Sequence, residues 1–365
     1  MNRNPSKKNK FTIGSIFACA AISFLMCVPA VRAGSSDAIA IRIAPNPNRL
    51  SPSRWYLENV SVVGTPKSLS LDGYEAVQDG RTIYANMANI TDPSNPGNNS
   101  NVTYYTNIFI ISYNQNAEKE TLGIVSQLIK HLHFNDNMMD RGDQGVCSKF
   151  CNINSDCKST FMCGPANTCV PDPAKRCNDS GNSCPDGFFC NSTSGACEKF
   201  CYSDSECADD EICQSEKSKV TRDTKRLADL REIEGILNRH LYNKGTYPAL
   251  TAGTYLSGRS TSRWPSWKNT LGKELETELP LDPINRFGTC QGFDQETCWN
   301  EVNKTFADPT PGDNIFNMPA GSRVYAYNKP EKMNGFCSVD DDDAICHVCS
   351  NMESIYFEPR RMNCR

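Results

Sequence analysis

The sequence predicts a multi-domain α+β protein with a disulfide-rich repeat region in its middle. Three observations lead to this fold class. Residues 37–140 contain no cysteine and alternate between strand-like and helix-like patterns, whereas residues 147–213 hold 12 of the chain's 20 cysteines. Residues 217–365 then open on a long helical stretch and end in strand-like segments. We therefore expect a small α+β domain, a cross-linked region with little regular structure, and a second α+β domain with a small antiparallel sheet.

Residues 1–33 have the composition of a signal peptide. A basic start at 7–10 precedes an apolar run at 11–28, and Val31 and Ala33 supply the side chains required for cleavage. The alternative is that the run is retained as a membrane anchor, because 18 residues just span a bilayer. No other segment predicts a membrane contact. Export leads to an oxidising compartment, so we expect a secreted or cell-surface protein.

The charge balance argues against nucleic-acid binding. The chain has 38 basic and 42 acidic residues, and five of the basic ones lie in the first 33 positions, where there is no acidic residue. Without that segment the protein is clearly acidic, whereas nucleic-acid binders present a basic surface.

Residues 37–140 predict a small α+β domain of unknown family. The period-2 and β-rich segments predict strands, and the Asp72-Gly73 and Asp79-Gly80 pairs predict turns. Helical spacing of Leu122, Val125 and Leu132 predicts a helix. The strands are expected at 38–43, 68–71, 82–85 and, as a central strand, 104–113, with the helix at 117–133.

The cysteines of residues 147–213 repeat at regular intervals. Two sets of four, beginning at Cys151 and Cys177, are followed by a third set that lacks its last member. The segment Cys147-Ser-Lys-Phe-Cys151 also recurs as Cys197-Glu-Lys-Phe-Cys201. Such self-similarity indicates internal repeats. The twelve residues are Cys147, Cys151, Cys157, Cys163, Cys169, Cys177, Cys184, Cys190, Cys197, Cys201, Cys207 and Cys213.

Disulfides are the expected state of this repeat region. Its intervening residues are mostly Gly, Pro, Asn, Ser and Asp, so it cannot bury enough apolar surface to offset its ordering entropy. Cross-links worth ~2–4 kcal/mol each would stabilise it. Zinc is the alternative, although the Cys-x2-Cys pairs typical of structural zinc sites are missing here. The connectivity stays open. By spacing alone, the region resembles small secreted cysteine-rich modules of the dickkopf-like kind, which bind proteins or act as spacers.

Residues 217–365 begin with a predicted long helix at 217–243. Leu227, Leu230 and Leu237 belong to one apolar stripe, and Lys225 and Asp229 lie four apart on the other side. Gly245 and Pro248 mark the end of the helix. A second short helix is expected at 268–279, and later strands at 322–328 and 354–358.

Three pieces of this block carry a resemblance to a known family. They are 222–234 (RDTKRLADLREIE), Asn243-Lys-Gly-Thr-Tyr-Pro248 and Leu279-Pro-Leu-Asp-Pro283. In this order they resemble the soluble region of type IV pilin-like proteins, especially the major pseudopilin of type II secretion, and are similar to uncharacterised exported proteins of small-genome bacteria. The resemblance implies a pilin-like domain over 217–365. Because a family member would place its assembly helix directly before this block, we interpret it as a pilin-like fold reused as a surface domain.

The remaining cysteines predict further cross-links. Cys290 and Cys298 are eight apart and are natural partners. Cys337, Cys346, Cys349 and Cys364 are expected to form disulfides after export, but Cys346-His-Val-Cys349 also leaves open a zinc site or a redox pair.

An acidic run at 340–343 is a candidate calcium site. Pseudopilins often carry a calcium site in a late acidic loop, so the resemblance implies calcium at Asp340, Asp341, Asp342 and Asp343. A solvated acidic loop is the alternative, and no other cofactor is expected.

The sequence contains none of the common catalytic motifs and only four histidines. Our leading hypothesis is an exported, disulfide-stabilised binding or adhesion protein without catalytic activity, whose partner is a protein or envelope component at a cell surface. One alternative is a component of a pilus or type II secretion machine. The other is an enzyme with an unrecognised site in residues 37–140, involving Asp72, Glu75 and Asp79.

Overall fold

Residues 37–365 form one compact unit in the computed structural model. The predicted signal peptide at 1–33 lies outside the residues that the structure describes. The described residues are 38–90, 104–134, 145–151, 153–158, 161–164, 168–172, 177, 184, 189–191, 195–307, 318–319, 321–329, 348–354 and 362–364.

A five-stranded antiparallel sheet organises residues 38–113. Its strands are β1 (Ile39–Pro45), β2 (Lys67–Leu71), β3 (Tyr74–Asp79), β4 (Thr82–Ile90) and β5 (Tyr104–Tyr113). The order across the sheet is β1-β5-β4-β3-β2. The prediction of β5 as an interior strand is confirmed, since it pairs with β1 on one side and β4 on the other.

Two short turns join β2, β3 and β4. Asp72 and Gly73 both have positive φ, 51° and 84°, as a type I′ turn requires for a two-residue hairpin. Gly80, with φ of 53°, occupies the next turn. Both predicted turns are confirmed, and the strand between them was not predicted.

Two helices accompany this sheet, α1 (Pro52–Asn59) and α2 (Lys119–His131). The sequence analysis did not predict α1. Ser51 caps its start by accepting a hydrogen bond from the Arg54 N–H at 3.2 Å, and Pro52 suits the first turn because its nitrogen needs no partner there. The prediction of α2 is confirmed with slightly shorter bounds.

The cysteine-rich region contains strands of only two to five residues, as expected for a chain ordered mainly by cross-links. The strands are β6 (Gly145–Lys149), β7 (Phe161–Cys163), β8 (Cys169–Pro171), β9 (Phe189–Asn191), β10 (Ala196–Glu198), β11 (Phe200–Cys201) and β12 (Glu211–Cys213). They pair as β11-β6-β12, β7-β8 and β9-β10, all antiparallel.

The long helix α3 spans Glu216–Lys244, one residue beyond the predicted 217–243 at each end. The Ser215 side chain accepts from the Ser218 N–H at 3.1 Å and so caps the first turn. Gly245, at φ of 74°, ends the helix by donating its N–H to the Leu241 carbonyl at 2.8 Å. This left-handed C-cap is the conformation that glycine favours.

The apolar stripe of α3 packs into a core shared by distant parts of the chain. Leu227, Leu230 and Leu237 are buried in one cluster with residues of the five-stranded sheet and with Tyr325 and Val348 near the C-terminus. The segments before and after the cysteine-rich region therefore share one core, while the domain boundaries given above stay predictions.

The C-terminal part is an antiparallel sheet of short strands with a separate aromatic cluster around Trp264. A π-helical segment, Trp267–Gly272, overlaps the first part of the predicted helix at 268–279 and begins one residue before it. The predicted strand at 322–328 is present only over its last three residues, and 355–358 lie outside the described residues. The strands are β13 (Arg259–Thr261), β14 (Trp299–Asn300), β15 (Thr305–Phe306), β16 (Ala326–Asn328), β17 (Val348–Asn351) and β18 (Met362–Cys364), and the four-stranded sheet has the order β13-β16-β17-β18.

Candidate functional site: a cross-linked array and a charged cleft

Seven disulfides connect fourteen cysteines of the described residues. Six lie within residues 147–213, and the seventh is the predicted pair Cys290–Cys298. The six bonds of the array join Cys147 to Cys207, Cys151 to Cys163, Cys157 to Cys169, Cys177 to Cys190, Cys184 to Cys197, and Cys201 to Cys213.

The bonds follow one rule through all three repeats. In the first two sets of four, the first cysteine bonds to the third and the second to the fourth. The incomplete third set obeys the same rule because Cys147, which precedes the first set, takes the place of its missing member and bonds to Cys207. The third repeat is thus assembled from both ends of the array, which are covalently joined.

Backbone pairing repeats together with the disulfides. Cys163 pairs with Cys169 across β7 and β8, and Cys213 pairs in the same way with Cys147 across β12 and β6. A polar side chain supports each copy, since Asn154 Oδ1 accepts from the Cys163 N–H at 2.9 Å and Asp204 Oδ1 accepts from the Cys213 N–H at 2.8 Å. The recurrence of Cys147-Ser-Lys-Phe-Cys151 was the signal in the sequence for this closure.

Three groups of array sulfurs are close enough together to suggest metal binding, but every one of them is disulfide-bonded. A metal ligand has to be a thiolate, so these groups do not form zinc sites in this state. Of the other predicted sites, Cys337, Cys346 and the acidic run 340–343 lie outside the described residues. Cys349 and Cys364 are backbone partners in β17 and β18.

A buried ion cluster lies along the first half of α3. Arg226, with a fully buried side chain, donates to both oxygens of Asp282 at 2.7 and 2.9 Å and to Asp223 at 2.8 Å. It also contacts Glu353, which follows β17. Burial raises the pKa of Asp223 to about 6, whereas the arginines hold the pKa of Glu353 well below its usual range against its own burial.

Arg222 connects this cluster to the cysteine array. It binds Glu353 through Nε and Nη2, at 2.9 and 2.8 Å, and reaches Asp204 Oδ1 at 2.7 Å. It also donates to the Cys213 carbonyl at 3.2 Å. The side chain is only 3% exposed, so these charge-assisted bonds form largely out of water.

Lys225 and Asp229 form the predicted pair, but on a flank of α3 that is covered rather than solvated. Lys225 Nζ lies 2.6 Å from Glu75 on β3 and 3.1 Å from Asp229. Tyr325 donates its hydroxyl to Asp229 at 2.7 Å. Burial raises the pKa of Asp229 to about 7, against the opposing effect of Lys225.

Asp72 joins the segments on either side of the array. Its Oδ2 accepts from the Phe134 N–H at 2.6 Å and lies 2.7 Å from the ammonium of Lys217, whose side chain is 1% exposed. His133 approaches its other oxygen at 3.3 Å.

The carboxylates considered for an enzymatic role are therefore already engaged. Asp72 holds Lys217, Glu75 holds Lys225, and Asp79 accepts the hydroxyl of Tyr56 at 2.6 Å. The positions of Asp72, Glu75 and Asp79 in structural contacts give no support to a shared catalytic centre.

A cleft of about 120 Å³ lies where β3, the array and α3 meet. It is smaller than the ~300–1,000 Å³ typical of sites for drug-sized ligands. Its lining includes two acidic and two basic side chains, so its charge is balanced. The lining residues used below are Glu75, Asn86, Asp204, Arg222 and Lys225.

Comparisons with protein-family models, with curated proteins and with solved structures found no significant match to this chain. Within the described residues, no helix combines the length and apolar character that crossing a membrane demands. The seven disulfides suggest an oxidising, extracellular environment.

Proposed function

We propose that the chain is an exported, disulfide-stabilised binding protein of the cell surface or its surroundings, without catalytic activity, which adheres to a protein or envelope component. The observation that carries the proposal is the closed disulfide array. Its bonds span 12, 13 or 60 residues of sequence, and the longest joins its two ends. Disulfides of this density are typical of secreted interaction modules and rare in reducing compartments.

The surroundings of the array support a binding role. Its base is anchored to α3 by the ion pair between Asp204 and Arg222 and by the bond from Arg222 to the Cys213 carbonyl, so this end of the cross-linked region is a rigid part of the protein rather than a free tail. A rigid surface binds with a smaller loss of conformational entropy than a flexible one. The acidic character of the chain favours a protein or a basic envelope polymer over nucleic acid.

The test is an envelope-binding assay on the protein purified from the culture medium or cell surface with its disulfides intact. Labelled protein is incubated with the envelope fraction of its own host and sedimented. We expect saturable binding that is lost after reduction and alkylation. Free thiols in the native array, or binding that does not saturate, would contradict the proposal.

A second candidate function is a subunit of a pilus-like or pseudopilin-like assembly. It is favoured by one contact, the bond between Arg226 on α3 and Asp282 in the Leu-Pro-Leu-Asp-Pro segment, which links two of the three pieces that carry the resemblance. Co-sedimentation with sheared surface filaments tests this candidate. A protein found only in the filament-free supernatant would exclude it.

A further inference from the structure

The floor of the cleft holds a side-chain amide whose orientation is determined by its neighbour. Asn46 accepts from the Leu50 N–H through Oδ1 at 3.0 Å and donates to the Leu50 carbonyl through Nδ2 at 2.8 Å. These two bonds fix which end of the Asn46 amide is the donor. The same Nδ2 donates to Asn86 Oδ1 at 3.0 Å, so the Asn86 oxygen faces Asn46.

Because the oxygen of the Asn86 amide faces Asn46, its nitrogen remains available to donate to a group bound in the cleft. Asn86 is 3% exposed and lines the cleft, and its Nδ2 meets no acceptor among the residues that the structure describes. In the described part of the chain this nitrogen is not one of the fully buried side-chain atoms that lack a partner, so solvent reaches it, and it lines the cleft. An acceptor oxygen placed in the cleft would replace water at this donor.

The rim of the cleft carries carboxylate oxygens, which accept hydrogen bonds. Glu75 binds Lys225 through Oε1, and Asp204 binds Arg222 through Oδ1. Both carboxylates are about two-fifths exposed, at 40% and 41%, and their other oxygens have no partner in the described part of the chain. They can accept hydrogen bonds from a cation while keeping their ion pairs, since a carboxylate has about four acceptor positions.

We propose that the cleft binds a small group in which an ammonium adjoins an acceptor oxygen, as in a free α-amino acid or the N-terminal residue of a peptide. The acceptor oxygen would meet Asn86 and Lys225, and the ammonium would meet Glu75 and Asp204. A zwitterion fits a lining with two charges of each sign, and a volume of about 120 Å³ admits only a few heavy atoms beyond the backbone group. This inference rests on the proposed binding function and names the ligand class for one site.

Calorimetry on the full, oxidised protein tests the assignment with four probes. Glycine carries both charged groups, glycinamide represents a peptide N-terminus, acetate lacks the ammonium and methylamine lacks the acceptor. We expect glycine or glycinamide to bind with a dissociation constant of about 1 mM or below, and acetate and methylamine at least tenfold more weakly. Binding of glycine alone indicates free amino acids, and binding of glycinamide as well indicates peptide N-termini.

Two matched variants locate the binding. Glu75→Gln removes one rim charge at a position 40% exposed, and Glu58→Gln removes the charge of a comparably exposed carboxylate that pairs with Arg54 on α1. We expect Glu75→Gln to weaken glycine or glycinamide binding at least tenfold and Glu58→Gln to leave it unchanged. A folded protein that binds neither probe, or binds acetate equally well, would overturn the assignment. Retained envelope binding in that case would leave the proposed function intact.

Discussion

Replacing Arg226 by methionine tests whether the ion cluster holds α3 in place. Arg226 makes two bonds to Asp282, one to Asp223 and one to Glu353, all from a side chain with no exposed surface. Methionine conserves much of the volume but leaves three buried carboxylates without this cation. Removing one member of a buried ion pair costs about 3–5 kcal/mol.

The remaining contacts place the expected loss within that range. Asp223 keeps the backbone N–H groups of Glu353 and Ser354, and Glu353 keeps Arg222. Asp282 loses the only cation bound to it among the described residues and keeps neutral donors such as the Ser350 hydroxyl at 3.1 Å. Because Asp223 and Glu353 keep other hydrogen-bond donors, we expect the free energy of unfolding to fall by about 4 kcal/mol rather than by more.

Urea unfolding of the oxidised protein, followed by fluorescence, measures this loss. Arg231→Met on the same helix is the matched control, because its pair with Glu234 is 40% exposed on the arginine side. The control should change the free energy of unfolding by no more than about 0.5 kcal/mol. A loss below ~1 kcal/mol for Arg226→Met, or equal losses in both variants, would refute the reasoning.

Three further predictions concern pH, the closing disulfide and a close backbone contact. The pKa of Asp229 is about 7 in the fold and near 4 in an unfolded chain. At a pH between these two values, folding is therefore accompanied by the uptake of a proton. The free energy of unfolding consequently falls as the pH rises from about 4 to about 7. Asp229→Asn should flatten that part of the profile in urea titrations compared with the parent protein, and parallel profiles would contradict this. Cys147→Ser should leave Cys207 as one additional alkylatable thiol by mass spectrometry and lower stability by about 2–5 kcal/mol; no added thiol would mean a different pairing. Gly145→Ala should lower the melting temperature, because its Cβ would overlap the backbone nitrogen of Ser215 far inside van der Waals contact, and an unchanged melting temperature would exclude that close approach.

Local patterns predicted the elements with strong periodicity. The bounds of β5 coincide with the predicted 104–113, and α3 differs from 217–243 by one residue at each end. Helix α1 was missed because it has only eight residues, although Ser51-Pro52 was an available start signal. Strand β3 was missed because its sequence, Tyr-Glu-Ala-Val-Gln-Asp, has no clear alternation.

The candidate site depends on contacts between distant residues, which local patterns do not encode. Arg222 and Glu353 are 131 residues apart, and Arg226 and Asp282 are 56 apart. The segment Arg222-Asp-Thr-Lys-Arg226 looks solvated by composition, yet both arginines are buried by partners that arrive from elsewhere. The orientation of Asn86 likewise follows only from its contact with Asn46.

The junction at Asp72 has a mechanical consequence. One carboxylate contacts Phe134, before the array, and Lys217, after it, so the path of the chain through the cross-linked repeats begins and ends at the same place. Tension applied along the polypeptide would pass across this junction and largely bypass the repeats. The length or composition of the array could therefore change without moving the elements that flank it, provided that the contacts of Arg222 with Asp204 and the Cys213 carbonyl are kept.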